Sequence, residues 1–340
     1  MRRTRRRVVA SLLSLGVIAS LVVSAPIARA ERQDDGDRID HAIAYLEAQQ
    51  RPNGSIPAFS PIGSTADAVL AFVAAGIGEE QLTDALGFLR RRVAHGKAGG
   101  VGIAAKIVTA VVAGGGDPHA FGGVDLVQSL VDTLGPHGRF GTASVFDDAL
   151  AVLALEAAGT PVSDDSIQWL VDAQCVDGGW QYSKPASAND DEHCLSTVRP
   201  TKDFFQSDTN TTSYVIQAVD AAGGASFATD PFTFFDAIRD GQRHGWGYTW
   251  GFQTTDANST ALVIQAFASA GMPVPVDALA ALRKLQDPAC GGWSFTWTGS
   301  HRTDPDPGST IGAILGLLQQ PLPVPAGVAV GAATPVPACG

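Results

Sequence analysis

The sequence predicts an all-α chain in which twelve helices form two concentric rings, six inner and six outer, as one domain. Three observations carry that expectation. An alanine-rich helix end closing on glycine recurs as Phe72-Val-Ala-Ala-Gly76, Val111-Val-Ala-Gly114, Leu155-Glu-Ala-Ala-Gly159, Val219-Asp-Ala-Ala-Gly223 and Phe267-Ala-Ser-Ala-Gly271, with a less regular copy from Ser309 to Leu318. Each such helix is followed by an amphipathic one. Glycine-aromatic turns then lead back into the next repeat. Units of this length bury their apolar faces against neighbouring units, so the array is itself the fold.

The outer helices are expected over residues 38–50, 79–93, 124–134, 164–174, 231–242 and 276–286. In the fourth, Ile167, Leu170 and Val171 repeat at helical spacing while Asp165, Gln168 and Asp172 face away. The inner helices are short and nearly apolar all round, as in Ala149-Leu-Ala-Val-Leu-Ala-Leu155, and must be surrounded by protein. Four of them open on Gly63-Ser64-Thr65, Asn210-Thr211-Thr212, Asn258-Ser259-Thr260 and Gly308-Ser309-Thr310. Such side chains accept hydrogen bonds from a first helical turn, and Asp208, Asp256 and Asp306 sit where a carboxylate favours the positive helix end.

Residues 1–30 stand apart. Arg2, Arg3, Arg5, Arg6 and Arg7 precede an apolar stretch from Val8 to about Ala25, and Ala28-Arg29-Ala30 offers a small-residue cleavage site, so a signal peptide and a secreted protein are expected. With the six arginines of this segment removed, the formal charge moves from -11 to -17. So acidic a surface argues against nucleic acid or an anionic membrane as partner. Residues 31–320 then form the ring, and the Pro/Ala/Gly-rich residues 321–340 read as a tail rather than a packed element. A monomer is expected.

The four cysteines, Cys175, Cys194, Cys290 and Cys339, imply two disulfides in an exported chain. Three pairings are open. Cys175 with Cys194 closes the shortest loop and leaves Cys290 for Cys339. No Cys-x-x-Cys or paired-histidine spacing points to a metal, and no cofactor motif is present. The interval from Gly159 to Gly223 is 64 residues against 38, 45 and 48 elsewhere, the excess lying in the polar loop 182–207 with its Asn189-Asp190-Asp191-Glu192-His193 run. A loop this long in a compact domain is usually functional or disordered.

The turns Gln174-Cys-Val-Asp177-Gly178-Gly179-Trp180 and Gln286-Asp287-Pro-Ala-Cys-Gly291-Gly292-Trp293, with weaker copies at Gln50 to Gly54, Gly138 to Phe140 and Gly245-Trp246, resemble the Gln-to-Trp repeat of prenyltransferases and squalene cyclases. The resemblance covers residues 37–320 and implies an α6/α6 toroid with a central cavity, its Gln and Trp tying neighbouring repeats together. The family's chemistry is only partly matched. Where squalene cyclases of this type carry an Asp-x-Asp-Asp acid, this chain reads Val145-Phe146-Asp147-Asp148, leaving Asp147 and Asp148 as catalytic candidates or as ordinary first-turn acids. At the zinc ligands of protein prenyltransferases the matching positions are Cys290, Gly292 and Ser309, so that metal is not expected.

Downstream of the turns, aromatics continue at alternate positions: Trp180 and Tyr182; Trp246, Tyr248 and Trp250; Trp293, Phe295 and Trp297. In an extended segment these share a face. Tyr182, Tyr248, Trp250, Phe295 and Trp297 are therefore candidates to line the barrel mouth for an apolar or planar small molecule, against the alternative that they fill the wedge between repeats. Asp67 lies inside the first inner helix, where a carboxylate needs a wet cavity or a partner such as Lys106. The incomplete motifs favour an exported, non-catalytic toroid that binds a ligand or protein. A terpenoid-cyclase-like enzyme using Asp147 and Asp148, and a structural cell-surface module, are the alternatives.

Overall fold

The computed structural model describes residues 24–141, 144–183, 194 and 205–339. The chain separates into residues 1–38 and 39–340. In the first unit the described residues are helical from Ser24, and Arg38 pairs with Asp34 at 2.8 Å. The expected signal sequence falls largely outside the described residues.

The second unit is the double ring. Its inner helices are α2 (Pro61–Ala75), α4 (Val101–Ala113), α6 (Val145–Ala157), α8 (Thr209–Ala221), α10 (Ala257–Ser269) and α12 (Pro307–Leu317). Outside them lie residues 39–49 of α1 (Ser24–Gln49), α3 (Glu79–Ala94), α5 (Leu126–Val131), α7 (Asp164–Asp172), α9 (Pro231–Ile238) and α11 (Val276–Arg283). Each inner helix packs on the next, and α12 packs back on α2, so the ring closes. Two-residue strands β1 (Trp180–Gln181) and β2 (Ser207–Asp208), and β3 (Trp297–Thr298) and β4 (His301–Arg302), form two antiparallel pairs on the connecting loops.

Five of the inner helices are capped by a side chain, and in four of them the cap precedes the expected Ser/Thr phrase, which lies inside the helix; α4 follows Gly100 with no side-chain cap. Ser60, Ser144, Asp208, Asp256 and Asp306 each accept a hydrogen bond from a first-turn N–H, those of Gly63, Asp147, Thr211, Ser259 and Ser309. The third outer helix is the main departure from the sequence pattern: it spans Leu126–Val131 only, because the chain then folds back on itself, the Thr133 carbonyl accepting from Gly141 N–H, Leu134 bridging to Phe140 and Gly135 N–H donating to the Arg139 carbonyl.

The glycine turns are the joints between repeats. The indole N–H groups of Trp180, Trp246 and Trp293 donate to the carbonyls of Leu170, Phe235 and Leu282 on the preceding outer helix, at 2.7, 2.8 and 2.8 Å. Gln174 donates both to Gly178 in its own turn and to Thr229 in the next repeat, and Gln50 does the same with Gly54 and Gln81. Gly54 and Gly291 need positive φ and press on the next unit's backbone, where an added Cβ would stand 2.2 Å from the Asp84 carbonyl and 2.4 Å from that of His41.

A further joint recurs in five repeats. The backbone N–H of Ile56, Phe140, Trp180, Trp246 and Trp293 donates to the side chain of Thr65, Asp148, Thr212, Thr260 and Thr310, at 2.9, 3.0, 2.9, 3.0 and 2.8 Å. Asp148 thus takes the place that threonine takes in the other four.

Residues 321–339 correct the expectation of an unpacked tail. Leu322, Val324, Ala329 and Ala333 are buried. Leu322 N–H donates to Gln217 on α8, Gly327 N–H to the Ala113 carbonyl ending α4, and Val330 N–H to the Gly76 carbonyl after α2. Ala333 and Thr334 then meet Glu47 and Asp40 of α1, and Cys339 bonds to Cys290. The composition is that of a linker because the strap has no helix or sheet of its own; it borrows partners from inner-helix C-termini. The other disulfide joins Cys175 to Cys194. The acidic run 189–193 lies outside the described residues.

Candidate functional site

The inner ring encloses a cavity of about 610 Å³. Its mouth is at the N-terminal ends of the inner helices, where Ser60, Ser64, Asn210, Asn258 and Asp306 line it beside the connecting loop at Pro57 to Phe59. Phe59 is fully exposed there. The wall continues down to Leu70, Leu262, Gln265, Ile311 and Leu315. From Asn258 to Gln265, or from Gly308 to Leu315, is two helical turns, so the cavity is about 10 Å deep. Leu322, from the strap, closes the C-terminal end.

One ion pair stands in this wall, beside the uncharged polar groups of Tyr214 and Gln265. Asp67 on α2 and Lys106 on α4 form an ion pair at 2.6 Å, with 30% and 20% of their side chains exposed. Burial lowers the Lys106 pKa, but the Asp67 carboxylate, aided by Tyr214 and Asp147, raises it further, and the net result is above the usual value. The ammonium therefore stays charged. Tyr214, also in the wall, packs edge-on against Phe146 at 4.9 Å between ring centres. Burial pushes the Tyr214 phenol up, Lys106 opposing.

Of the ligand-binding residues expected from the sequence, Asp67 lies in the cavity wall, and the Lys106 partner expected for it is in place. The aromatic candidates sit elsewhere. Tyr182 lies behind Phe146, 5.5 Å between ring centres. Trp250 packs against Phe234 and points its indole N–H at Asp177, 3.4 Å away, filling the wedge between repeats. Tyr248, Phe295 and Trp297 share a separate hollow on the rim. The alternate-residue rule failed because the segments turn: Thr249 bridges to Asp208 and Phe252, and Thr298 enters a hairpin, which carries the following rings over the rim.

Asp147 and Asp148 begin α6 and are not brought together as an acid pair on the cavity wall. Asp148 is 2% exposed and holds the Phe140 N–H. Asp147 faces Gly102 on α4, where an added Cβ would meet its Oδ1. The residues that sequence reasoning missed, Phe59, Phe146, Tyr214 and Gln265, carry a common signal in three cases: a large or polar side chain within a helix otherwise built of small apolar residues must face a void. Among the described residues no group of three or more His, Cys, Asp or Glu could hold a metal ion, and no helix is long and apolar enough to cross a membrane.

No protein-family model and no curated protein sequence matches the chain. Solved structures do match in shape. A variant of the type II terpene cyclase MstE from Scytonema, in complex with its substrate geranylgeranyl dihydroxybenzoate, aligns with TM-score 0.58 at 13% identity over 86% of this chain and 98% of its own. The GH76A α-1,6-mannanase of Salegentibacter sp. HEL1_6 aligns with TM-score 0.57 at 12% identity, over 84% and 99%. An inactive variant of that mannanase with two successive aspartates replaced, bound to α-1,6-mannotriose, gives 0.58 at 12%. At such identities the likeness speaks for architecture, and with the closed inner ring it makes this chain an α6/α6 toroid, the fold of terpene cyclase and mannanase alike.

Proposed function

We propose that this is an exported, non-catalytic toroid whose central cavity binds one elongated, mostly apolar small molecule with a neutral polar end. The observation that carries the reading is the composition of the wall: Leu70, Leu262, Ile311, Leu315, Leu322 and Phe146 around a single, internally balanced ion pair. A volume of about 610 Å³ suits a small-molecule site. A hydroxyl or carbonyl can hydrogen-bond Lys106 or Tyr214 without disturbing the charge balance. A carboxylate would have to displace Asp67, leaving it uncompensated in a partly buried place. Export is supported by the arginine-led residues 1–30 and the two disulfides. Proteins of the same fold are found with a prenylated aromatic compound and with a mannan oligosaccharide, so the architecture accommodates organic ligands of either character.

The test is mass spectrometry of what co-purifies with the exported protein, followed by displacement of a fluorescent apolar probe. Ile311→Trp, which fills the wall, should abolish probe uptake while the protein stays folded. Unchanged uptake in that variant refutes the cavity as the site. The second reading is a cyclase-like enzyme with Asp147 as acid and Asp148 beside it, since both stand in the first turn of inner helix α6 next to Phe146 of the cavity wall. Incubation with squalene and short polyprenyl substrates decides: turnover that Asp147→Asn abolishes would replace the binding reading. A protein that takes up no apolar probe and turns nothing over would leave the surface-module reading.

A further inference from the structure

Trp297, half-buried at the start of the β3–β4 hairpin, stands between two hollows on the rim. The larger, about 490 Å³, is lined by Tyr248, Phe252, Phe295 and Trp297 together with Gln253 and Thr254. The smaller, about 230 Å³, is lined by Gln242, Arg243, Lys284, Ser300 and again Trp297. Neither shares a lining residue with the central cavity.

Arg239 and Arg302 nearby are held by Asp277 and Asp287, at 2.7 and 3.8 Å. Arg243 instead lies over the Trp297 ring, 5.6 Å from its centre, and donates to the Gly299 carbonyl. Lys284 is exposed. Among the described residues neither Arg243 nor Lys284 has a carboxylate partner. Two uncompensated cations therefore face one small hollow on a protein whose formal charge without residues 1–30 is -17. Beside them, four aromatic rings and several amide and hydroxyl groups line the adjoining hollow. Aromatic rings pack against the C–H face of a pyranose, while amides and hydroxyls answer its hydroxyl groups. A guanidinium and an ammonium answer a carboxylate or phosphate.

We infer that this wall is a second ligand site, independent of the central cavity, and that it takes an anionic glycan. One sugar ring lies in the aromatic hollow against Tyr248, Phe295 and Trp297, and the acid group of an adjacent sugar lies against Arg243 and Lys284. Asp256, at the back of the larger hollow, is buried and engaged with Ser259, so the acid group is answered on the side of Arg243 and Lys284. Long polyanions such as nucleic acid are disfavoured by the acidic remainder of the surface.

Isothermal titration of the oxidised chain tests this with trigalacturonate, 6-phosphorylated mannobiose, neutral maltotriose and inorganic phosphate. At least one acidic sugar should bind with Kd below about 1 mM, roughly tenfold or more tighter than maltotriose and than phosphate. The two acidic probes separate a carboxylate-bearing from a phosphate-bearing ligand. Lys284→Gln, at an exposed position, should weaken binding about tenfold without altering the melting temperature, and Trp297→Ala should weaken it at least as much. No binding of either acidic sugar overturns the proposal. So does equal binding of maltotriose or of bare phosphate, or a Lys284→Gln protein that binds as the parent does.

Discussion

Asp148 looks like half of a catalytic carboxylate pair, yet its geometry predicts that threonine can replace it. In four other repeats the entering strand's N–H is received by Thr65, Thr212, Thr260 or Thr310; in the third repeat Asp148 receives that of Phe140 at 3.0 Å. Both Phe140 and Asp148 are buried, at 1% and 2% exposure. Asp148→Ala leaves the Phe140 N–H without its acceptor away from water, which costs about 1–3 kcal/mol. Asp148→Thr supplies the hydroxyl used in the sister repeats and should recover most of that loss. Urea unfolding followed by circular dichroism measures both variants, and probe displacement measures the cavity. A threonine variant as unstable as the alanine one refutes the equivalence of the five joints. A stable threonine variant that has lost ligand uptake or turnover refutes the architectural role itself.

Three further outcomes follow from the same structure. Burial raises Asp208 and Asp256 to about 7, outweighing the N–H groups of Thr211 and Ser259 that oppose it, so the folded chain holds protons that the unfolded chain releases near pH 4. Their contribution is complete below about pH 4 and is lost as the pH rises to about 7; Asp256→Asn, which keeps the cap acceptor, should therefore stabilise by on the order of 2–4 kcal/mol at pH 8 and by little at pH 4, measured by urea unfolding, whereas an equal effect at both would contradict the buried-charge account. Asp67→Asn strips the partner from Lys106 and should cost about 1–2 kcal/mol, with the Asp67→Asn, Lys106→Met double variant regaining much of it in a double-mutant cycle. Replacing Cys290 and Cys339 by alanine opens a 49-residue closure and should lower stability by at most about 4 kcal/mol, with hydrogen exchange rising first at Gly327 and Val330 if the strap detaches.

The ring was legible because it is written in small residues. Ala-rich, all-round apolar helices such as Ala149 to Leu155 have no solvent face, so they must form an interior layer, and their caps at Asp208, Asp256 and Asp306 announced where each begins. The Gln and Trp turns were legible for the same reason: Trp180, Trp246 and Trp293 are wholly buried and each indole N–H finds the outer-helix carbonyl it requires. The strap was not legible. Pro321 to Gly340 has neither helical nor strand periodicity, and its partners, Gln217, the Ala113 and Gly76 carbonyls, and Glu47, lie far off in sequence. Nothing local in a coil specifies the groups it will borrow.

The cavity follows a different rule from the rim, which is why the aromatic series misplaced it. Alternation along an extended segment predicts a shared face only while the segment stays extended, and here Thr249 and Thr298 lie where it bends. The cavity wall is set instead by helical phase: Asp67, Lys106, Tyr214 and Gln265 are large or polar side chains on helices whose other faces are packed to near-zero exposure by alanine, valine and leucine. A close-packed ring interior has no space for such groups except at its centre. The two polar positions on adjacent helices with opposite charge, Asp67 and Lys106, then meet across the α2–α4 contact at 2.6 Å, and the hole they face is the one the strap closes with Leu322. Shortening the strap at Pro321 should therefore open the cavity at its C-terminal end as well as loosen the ring, and the fluorescent probe would then exchange faster without losing the wall that binds it; exchange unaltered by that truncation would mean the floor lies elsewhere.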